Sequence, residues 1–411
     1  MFRKSVWSLL ALLLSVPVTA AAANVITDWD EKAVGFVQTK MPPPAGYRVM
    51  AIVHLAMFEA VNSIEPHYKP YKARLSASAD TSKEAAAAAA AGMVLSKLVP
   101  DAAADVQAAT TSYLATLPEG DAKTNGVKLG EQSAQAMLEA RANDGASAPD
   151  NYRPRTQPGV YVGTTITVGS RYPNVTPFAM TSPSQFRPKP PLSLKSAQWA
   201  KDFNEIKEVG EKNSTKRTSR QTEDARFWVL TGPLSTHPLE RQIAIAKNMD
   251  VVDSARFLAL VSAAEEDAII AVMDAKYKYE FWRPITAIRN ADIDGNPATQ
   301  RDPNWQPIDV TPLHPEYPCA HCIISSSVAA VIKSVLGTEG IPEVAMTSPF
   351  AQGVTHRFSN LSAYTEEVAM ARIYAGFHYR FSTVVGREMG QKIGTYVADT
   401  ILRPTQLATA R

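Results

Sequence analysis

The sequence predicts an all-α fold, and three observations carry that expectation. Apolar residues recur at steps of three and four through most of the chain, no long alternating strand pattern occurs, and the prolines crowd into one stretch. At 411 residues, with 45% apolar and 20% charged side chains, the chain can build a substantial core. Its 42 basic and 40 acidic residues nearly cancel, which argues against a nucleic-acid or membrane-surface binder acting through bulk charge. Any attraction for an anion must be local.

Residues 1–23 open with Arg3 and Lys4, run on through apolar residues from Val6 to Val18 and end on small ones. This is the pattern of a secretory signal peptide cleaved after Ala20 or Ala23. A spanning helix needs about 20 apolar residues, and no later stretch offers them, so a secreted or periplasmic protein with no membrane insertion is expected. Residues 24–148 read as an N-terminal helical region. In it Arg48–Asn62 sets Ile52, Leu55, Ala56 and Val61 near helical spacing, with His54 as a structural histidine beside them. The alanine run Ala85–Ala91, bounded by Lys83–Glu84 and by Met93, Val94 and Leu95, is a strong helix former. Helix continues through Leu129–Ala142.

Residues 149–195 hold nine prolines interleaved with Tyr152, Tyr161, Tyr172, Phe178 and Phe186, which predicts an ordered, irregular connecting wrap. Residues 196–411 form the C-terminal helical domain that carries the site. Helix is expected through Ala225–Val229 and over Leu239–Tyr279, where the stripe Leu258, Val261, Glu265, Val272, Lys276 turns the lysine toward the core. A lysine there must find an anion.

Three clusters follow one another. Lys276 and Arg283 stand seven apart, Pro284 stops the helix, and Phe281 and Trp282 would dry the surroundings of the arginine. Next, His314-Pro315-Glu316-Tyr317-Pro318-Cys319-Ala320-His321 leads into a helix over Cys322–Leu336 closed by Gly337. The N–H groups of Cys319, Ala320 and His321 at that helix start would face an anion favoured by the dipole. Last, Arg372 and His378 lie in a helical stretch, Val368–Arg387, about 120° apart on an ideal helix. Three permanent cations and two imidazoles are the set needed to trap a tetrahedral oxyanion and act on it.

Lys-x6-Arg-Pro, Pro-x-x-His at a helix start and Arg-x5-His, in that order, resemble the signature motifs of the superfamily joining type 2 phosphatidic acid phosphatases to vanadium-dependent haloperoxidases. The likeness is strongest on the haloperoxidase side, in FWRPITAIRNAD, HPEYP and ARIYAGFHYRF. The resemblance implies a helical bundle in which Lys276, Arg283 and Arg372 neutralise the oxygens of vanadate or phosphate, with the Ala320 N–H adding a hydrogen bond. It implies that His378 bonds to vanadium, or attacks phosphorus, and that His321 is the acid/base. His314 matches a position where the algal bromoperoxidases carry histidine, which favours bromide or iodide.

Three departures bear on this reading. The family's Ser-Gly pair is Cys319-Ala320 here, which exchanges a hydroxyl donor for a thiol and adds a methyl group. Where the family often has aspartate four residues after the last histidine stands Ser382, which holds an imidazole less firmly. The leading function is an exported vanadate-dependent haloperoxidase acting on peroxide and halide. The alternatives are a soluble acid phosphatase acting on phosphate esters through a phospho-histidine, and a catalytically weakened oxyanion-binding homologue. A thiol oxidoreductase built on Cys319 and Cys322 has no βαβ pattern around it. A homo-oligomer is compatible with any of these.

The cysteines, spaced for the first turn of a helix, could form a disulfide, a reactive pair or neither. A disulfide is expected in an exported protein. Intact-mass analysis of freshly exported protein should find no free thiol, and Cys319→Ser should abolish any sensitivity of anion binding to reductant. Two free thiols would contradict this.

Overall fold

The computed structural model describes residues 23–163 and 165–405. The expected leader lies outside the described residues but for Ala23. Five helices open the described chain: α1 (Val25–Lys40), α2 (Pro43–Ile64), α3 (Lys83–Leu98), α4 (Ala103–Ala115) and α5 (Asp121–Ala140). Beyond the irregular wrap come α6 (Ala197–Val209), α7 (Ser219–Phe227), α8 (His237–Ala246), α9 (Val251–Tyr279) and the six-residue α10 (Pro284–Arg289). The chain closes with α11 (Ala320–Leu336), a hairpin of β1 (Gly340–Thr347) and β2 (Thr355–Asn360), then α12 (Leu361–Tyr374) and α13 (Arg380–Thr400). The fold is mostly helical, as the periodicity implies.

Helix α9 is the axis. It is buried nearly from end to end, charged side chains such as Glu265, Asp267 and Lys276 included, as in a helix enclosed by others. Packed on it are α2, α11 and α13. The Asp250 side chain caps its start by accepting from the Asp253 N–H, and Glu280 ends it in the left-handed region at φ 48°. The alanine run lies within α3, wholly buried, and its small side chains let α2 and α5 approach closely.

One apolar cluster includes residues from Val25 to Leu402, so the core is continuous across the wrap. A second, aromatic cluster gathers Trp199, Phe203, Trp282, Trp305, Tyr317 and Tyr379. The wrap is fixed by polar anchors on α9. Asp267 accepts the backbone N–H groups of Phe178, Ala179 and Met180 at 2.6, 2.9 and 2.8 Å, and Arg187 forks onto Asp274. Val168 N–H donates to Leu313 O and Trp282 N–H to Gly159 O, so the wrap also braces the segments that carry the second and first clusters.

Three local expectations are corrected. The helix expected over Leu239–Tyr279 breaks at 247–250, where Asn248 has φ 50° and Asp250 starts a new helix as its cap. The hairpin went unseen because β1 and β2 are short and their burial alternates over few residues. The stretch Val368–Arg387 is two helices, parted at Gly376 with φ 79°. A Cβ at Gly376 would sit 2.4 Å from Gly210 O, so the turn needs glycine twice over. His378 therefore stands in a loop, and the helical-wheel angle between it and Arg372 does not apply.

Helices α11 and α13 meet closely at Gly390 and Gly394, where an added Cβ would lie 2.2 Å from Ile323 O and 2.2 Å from Ser327 O. Gly390→Ala should lower stability by about 1–3 kcal/mol through overpacking, read by chemical denaturation. Gly35→Ala, with nothing within 4 Å, should be neutral or stabilising. Equal effects would contradict this packing.

Candidate oxyanion site

The three clusters converge on one buried place. Lys276 sits in the last turn of α9, Arg283 caps α10, and Arg372 lies in the last turn of α12. Lys276 is 0% exposed, and Arg283, Arg372 and His378 are each 1% exposed. Three cations out of water would be very costly alone, and each is partly satisfied by backbone carbonyls. Lys276 Nζ donates to Pro315 O at 2.9 Å and Glu316 O at 2.6 Å. Arg283 Nε donates to His314 O at 2.9 Å and its Nη1 to Phe377 O at 3.1 Å. Arg372 Nη1 donates to Trp228 O, its guanidinium lies 4.7 Å from the Phe377 ring centroid, and its Nε is buried without a partner.

Carbonyls satisfy donors but do not neutralise charge. Burial, with mutual repulsion, holds the Lys276 ammonium well below its usual range. Burial likewise pulls Arg283 down to about 10, and burial with repulsion from Arg283 pulls Arg372 down to about 9. The one carboxylate among them is Glu316, 0% exposed and pushed up to about 7 by burial, against the pull of Lys276 and Arg283.

Glu316 fixes the imidazole. His378 Nδ1 lies 2.8 Å from Glu316 Oε1, which also accepts the Tyr379 N–H at 3.2 Å. A guanidinium only donates, and Arg283 Nη1 faces Nε2, so the lone pair is on Nε2 and the ring proton on Nδ1. That lone pair faces Arg283 Nη1 at 3.3 Å. Burial and the nearby cations hold the imidazole well below its ordinary pKa, hence neutral. His314 Nδ1 accepts from Arg283 Nη2 at 2.9 Å, and His321 Nε2 donates to Leu230 O at 2.9 Å, leaving its Nδ1 as the free lone pair. Burial keeps His314 and His321 neutral too.

His378, His321, His314, Ala320 and Arg372 line a cavity of about 280 Å³ whose lining includes no acidic side chain. Lys276 does not line it, and Arg283 lines instead a recess of about 980 Å³ across the shared wall of Val310, Pro312 and Leu313. At the α11 start, Cys319 N–H is already given to Ser382 O at 3.3 Å, which corrects the expectation that it faces an anion. Ala320 and His321, as the first two helical residues, have no intrahelical acceptor. Cys319 and Cys322 are joined, with Cα atoms 5.4 Å apart.

Sequence reasoning passed over Glu316, which sits in HPEYP in plain view. The available signal was that three buried cations need a carboxylate nearby. His54 is away from the cavity, with its Nε2 at 3.0 Å from Asp30 Oδ1.

The donor set fits a tetrahedral oxyanion: surplus buried positive charge, an unpartnered Arg372 Nε, free N–H groups at a helix start and one ring lone pair.

Comparison with known proteins finds similarity over the part of the chain that carries these clusters. The family described as the VCPO second helical-bundle domain matches residues 256–406, which include all three clusters but not Trp228 or Leu230. A vanadium chloroperoxidase from Curvularia inaequalis is 26% identical over 238 residues, 43% of this chain and 38% of that protein. The chain thus matches well under two thirds of that relative's length. A crystal structure titled as the first bacterial vanadium-dependent iodoperoxidase superposes with a TM-score of 0.80 at 22% identity, covering 93% of this chain and 98% of that one. An apo-type bacterial vanadium-dependent chloroperoxidase gives 0.73 at 15% identity, covering 88% and 93%. These structures share the fold.

Glu316→Ala should weaken phosphate or vanadate binding roughly 10–100-fold by releasing His378, as calorimetry would read it, whereas Ser382→Ala should change it little. Loss of the negative charge alone would strengthen anion binding, so a rise in affinity would refute the positioning role.

Proposed function

We propose that the chain is a member of the haloperoxidase-like branch of that superfamily, that it holds vanadate in the 280 Å³ cavity and that it uses hydrogen peroxide to oxidise bromide or iodide. The observation that carries this is the Nε2 lone pair of His378, set by Glu316 and surrounded by three buried cations. When bound, vanadate would supply the Lewis acidity that activates peroxide toward halide without changing its own redox state. The protein's residues do the rest.

Lys276, Arg283 and Arg372 supply the compensating charge, and binding an anion there returns each cation toward its ordinary pKa. The Ala320 N–H offers a hydrogen bond at a helix start. His321, neutral with a free Nδ1, accepts and returns a proton at the cavity, while Leu230 O holds its ring. His314, bridged to Arg283, stands on the halide side. Trp228, Phe377 and Leu313 keep the cavity dry.

The disulfide favours peroxidase chemistry over the phosphatase reading in one respect. A free thiol beside hypohalite would be oxidised within few turnovers, and a disulfide has no such thiol to lose. Export, as the leader pattern implies, belongs to the same proposal.

Vanadate-loaded protein should oxidise iodide or bromide with peroxide. His378→Ala should abolish the activity, and His321→Ala should keep vanadate affinity while lowering turnover roughly 10²–10⁴-fold. Phosphate-ester hydrolysis without vanadate, and no halide oxidation with it, would overturn the proposal.

A further inference from the structure

A second group of ligating side chains lies apart from the oxyanion site, at the junction of α7, β2 and α12. His356 on β2 is 2% exposed, and its ring stacks on Phe227 with centroids 3.9 Å apart and planes 7° from parallel. Its Nδ1 is 2.6 Å from Glu367 Oε1, so the ring proton is fixed there. The other nitrogen, Nε2, is buried with no hydrogen-bond partner. It points at two carboxylates, 3.7 Å from Glu223 Oε1 and 3.9 Å from Asp224 Oδ1. A lone pair aimed at two anions is repulsive unless a proton or a metal cation stands between them.

Arg220 supplies only part of that charge. Its guanidinium approaches Glu223 Oε1 at 3.1 Å, Glu367 Oε2 at 3.4 Å and, without hydrogen-bond geometry, Asp224 Oδ1 at 2.8 Å. One arginine, its side chain 58% exposed, thus faces three carboxylates and an imidazole. It touches the outer edge of the group and leaves Nε2 unpartnered.

We propose that His356 Nε2, Glu223 and Asp224 bind a divalent transition-metal ion of the zinc class, with water in the fourth place. Ligand atoms about 2.0–2.1 Å from a tetrahedral ion lie about 3.3–3.4 Å from one another. The two separations from Nε2, 3.7 and 3.9 Å, need to close by roughly half an ångström, and the three ligand atoms already lie within 4.8 Å of one another. Glu367 is the outer carboxylate that sets the tautomer and ring orientation of a metal-bound histidine. Imidazole with two carboxylates suits zinc or manganese rather than a soft thiolate-seeking ion. Arg220, on the exposed side, turns out to solvent as the ion enters.

The site would tie three elements together beside the oxyanion cavity. Glu367 Oε1 also accepts from Trp228 Nε1 at 2.9 Å, and the Trp228 carbonyl accepts from Arg372. The inference does not rest on the oxyanion reading, since none of its ligands lines that cavity.

Chelator-treated full-length protein, titrated calorimetrically with zinc, should take up one ion per chain. His356→Ala and Glu223→Gln should each weaken that uptake at least about tenfold, and Glu367→Gln roughly 10–100-fold through loss of ring orientation. Cobalt in place of zinc should give visible d–d absorption that His356→Ala removes. Glu223 lies on the partly exposed rim, so its variant decides the matter if His356→Ala fails to fold. No saturable uptake, as expected if a second proton rather than a metal sits on Nε2, would overturn the proposal, as would uptake unchanged in the variants.

Discussion

The structure depends on keeping one lysine and two arginines out of water around one glutamate. Desolvation of a cation is costly, and here Lys276, Arg283 and Arg372 share a single buried carboxylate, that of Glu316. The backbone makes up the difference in hydrogen bonds. Five carbonyls, from Trp228, His314, Pro315, Glu316 and Phe377, accept from the three side chains. All five belong to irregular segments between helices. Helical carbonyls are already engaged with their own N–H groups, which is why loops and not helices ring the site. Glu316 balances only part of the charge, and burial, with repulsion from Arg283 on Lys276 and Arg372, pulls all three cations below their usual range.

The rest of the fold serves to hold those loops. Helix α9 ends at the lysine, and its left-handed cap at Glu280 turns the chain toward Arg283. Gly376 turns the chain between Arg372 and His378, in contact with Gly210 O. The irregular wrap, clamped on α9 through Asp267 and Asp274, reaches Leu313 and Trp282 on either side of Arg283. A core continuous from Val25 to Leu402 makes these distant segments one body.

Much of this could be read from the residues. The spacing of Lys276 on an apolar stripe showed its burial, and Pro318 ahead of an apolar run showed the start of α11. Helical breaks were less legible: 247–250 and 375–379 interrupt apolar periodicity without a proline, so pattern alone joins the flanking helices. Glu316 was overlooked for a different reason. Its role comes from contact with His378, 62 residues away, which local sequence does not encode. The same is true of the Leu230 carbonyl that holds His321, since any residue type can present it. Ser382, expected to be the weak support of His378, instead presents its carbonyl to Cys319 N–H, while Glu316 takes the imidazole.

The central claim is that the three cations and His378 enclose one oxyanion, bonded at Nε2. A crystal structure of the protein soaked with orthovanadate tests it most directly. Anomalous density is expected at His378 Nε2, in the cavity lined by Arg372 and the start of α11, with no displacement of the His378–Glu316 hydrogen bond. Vanadium bound at another residue, or a cavity left without it at saturating vanadate, would contradict the account.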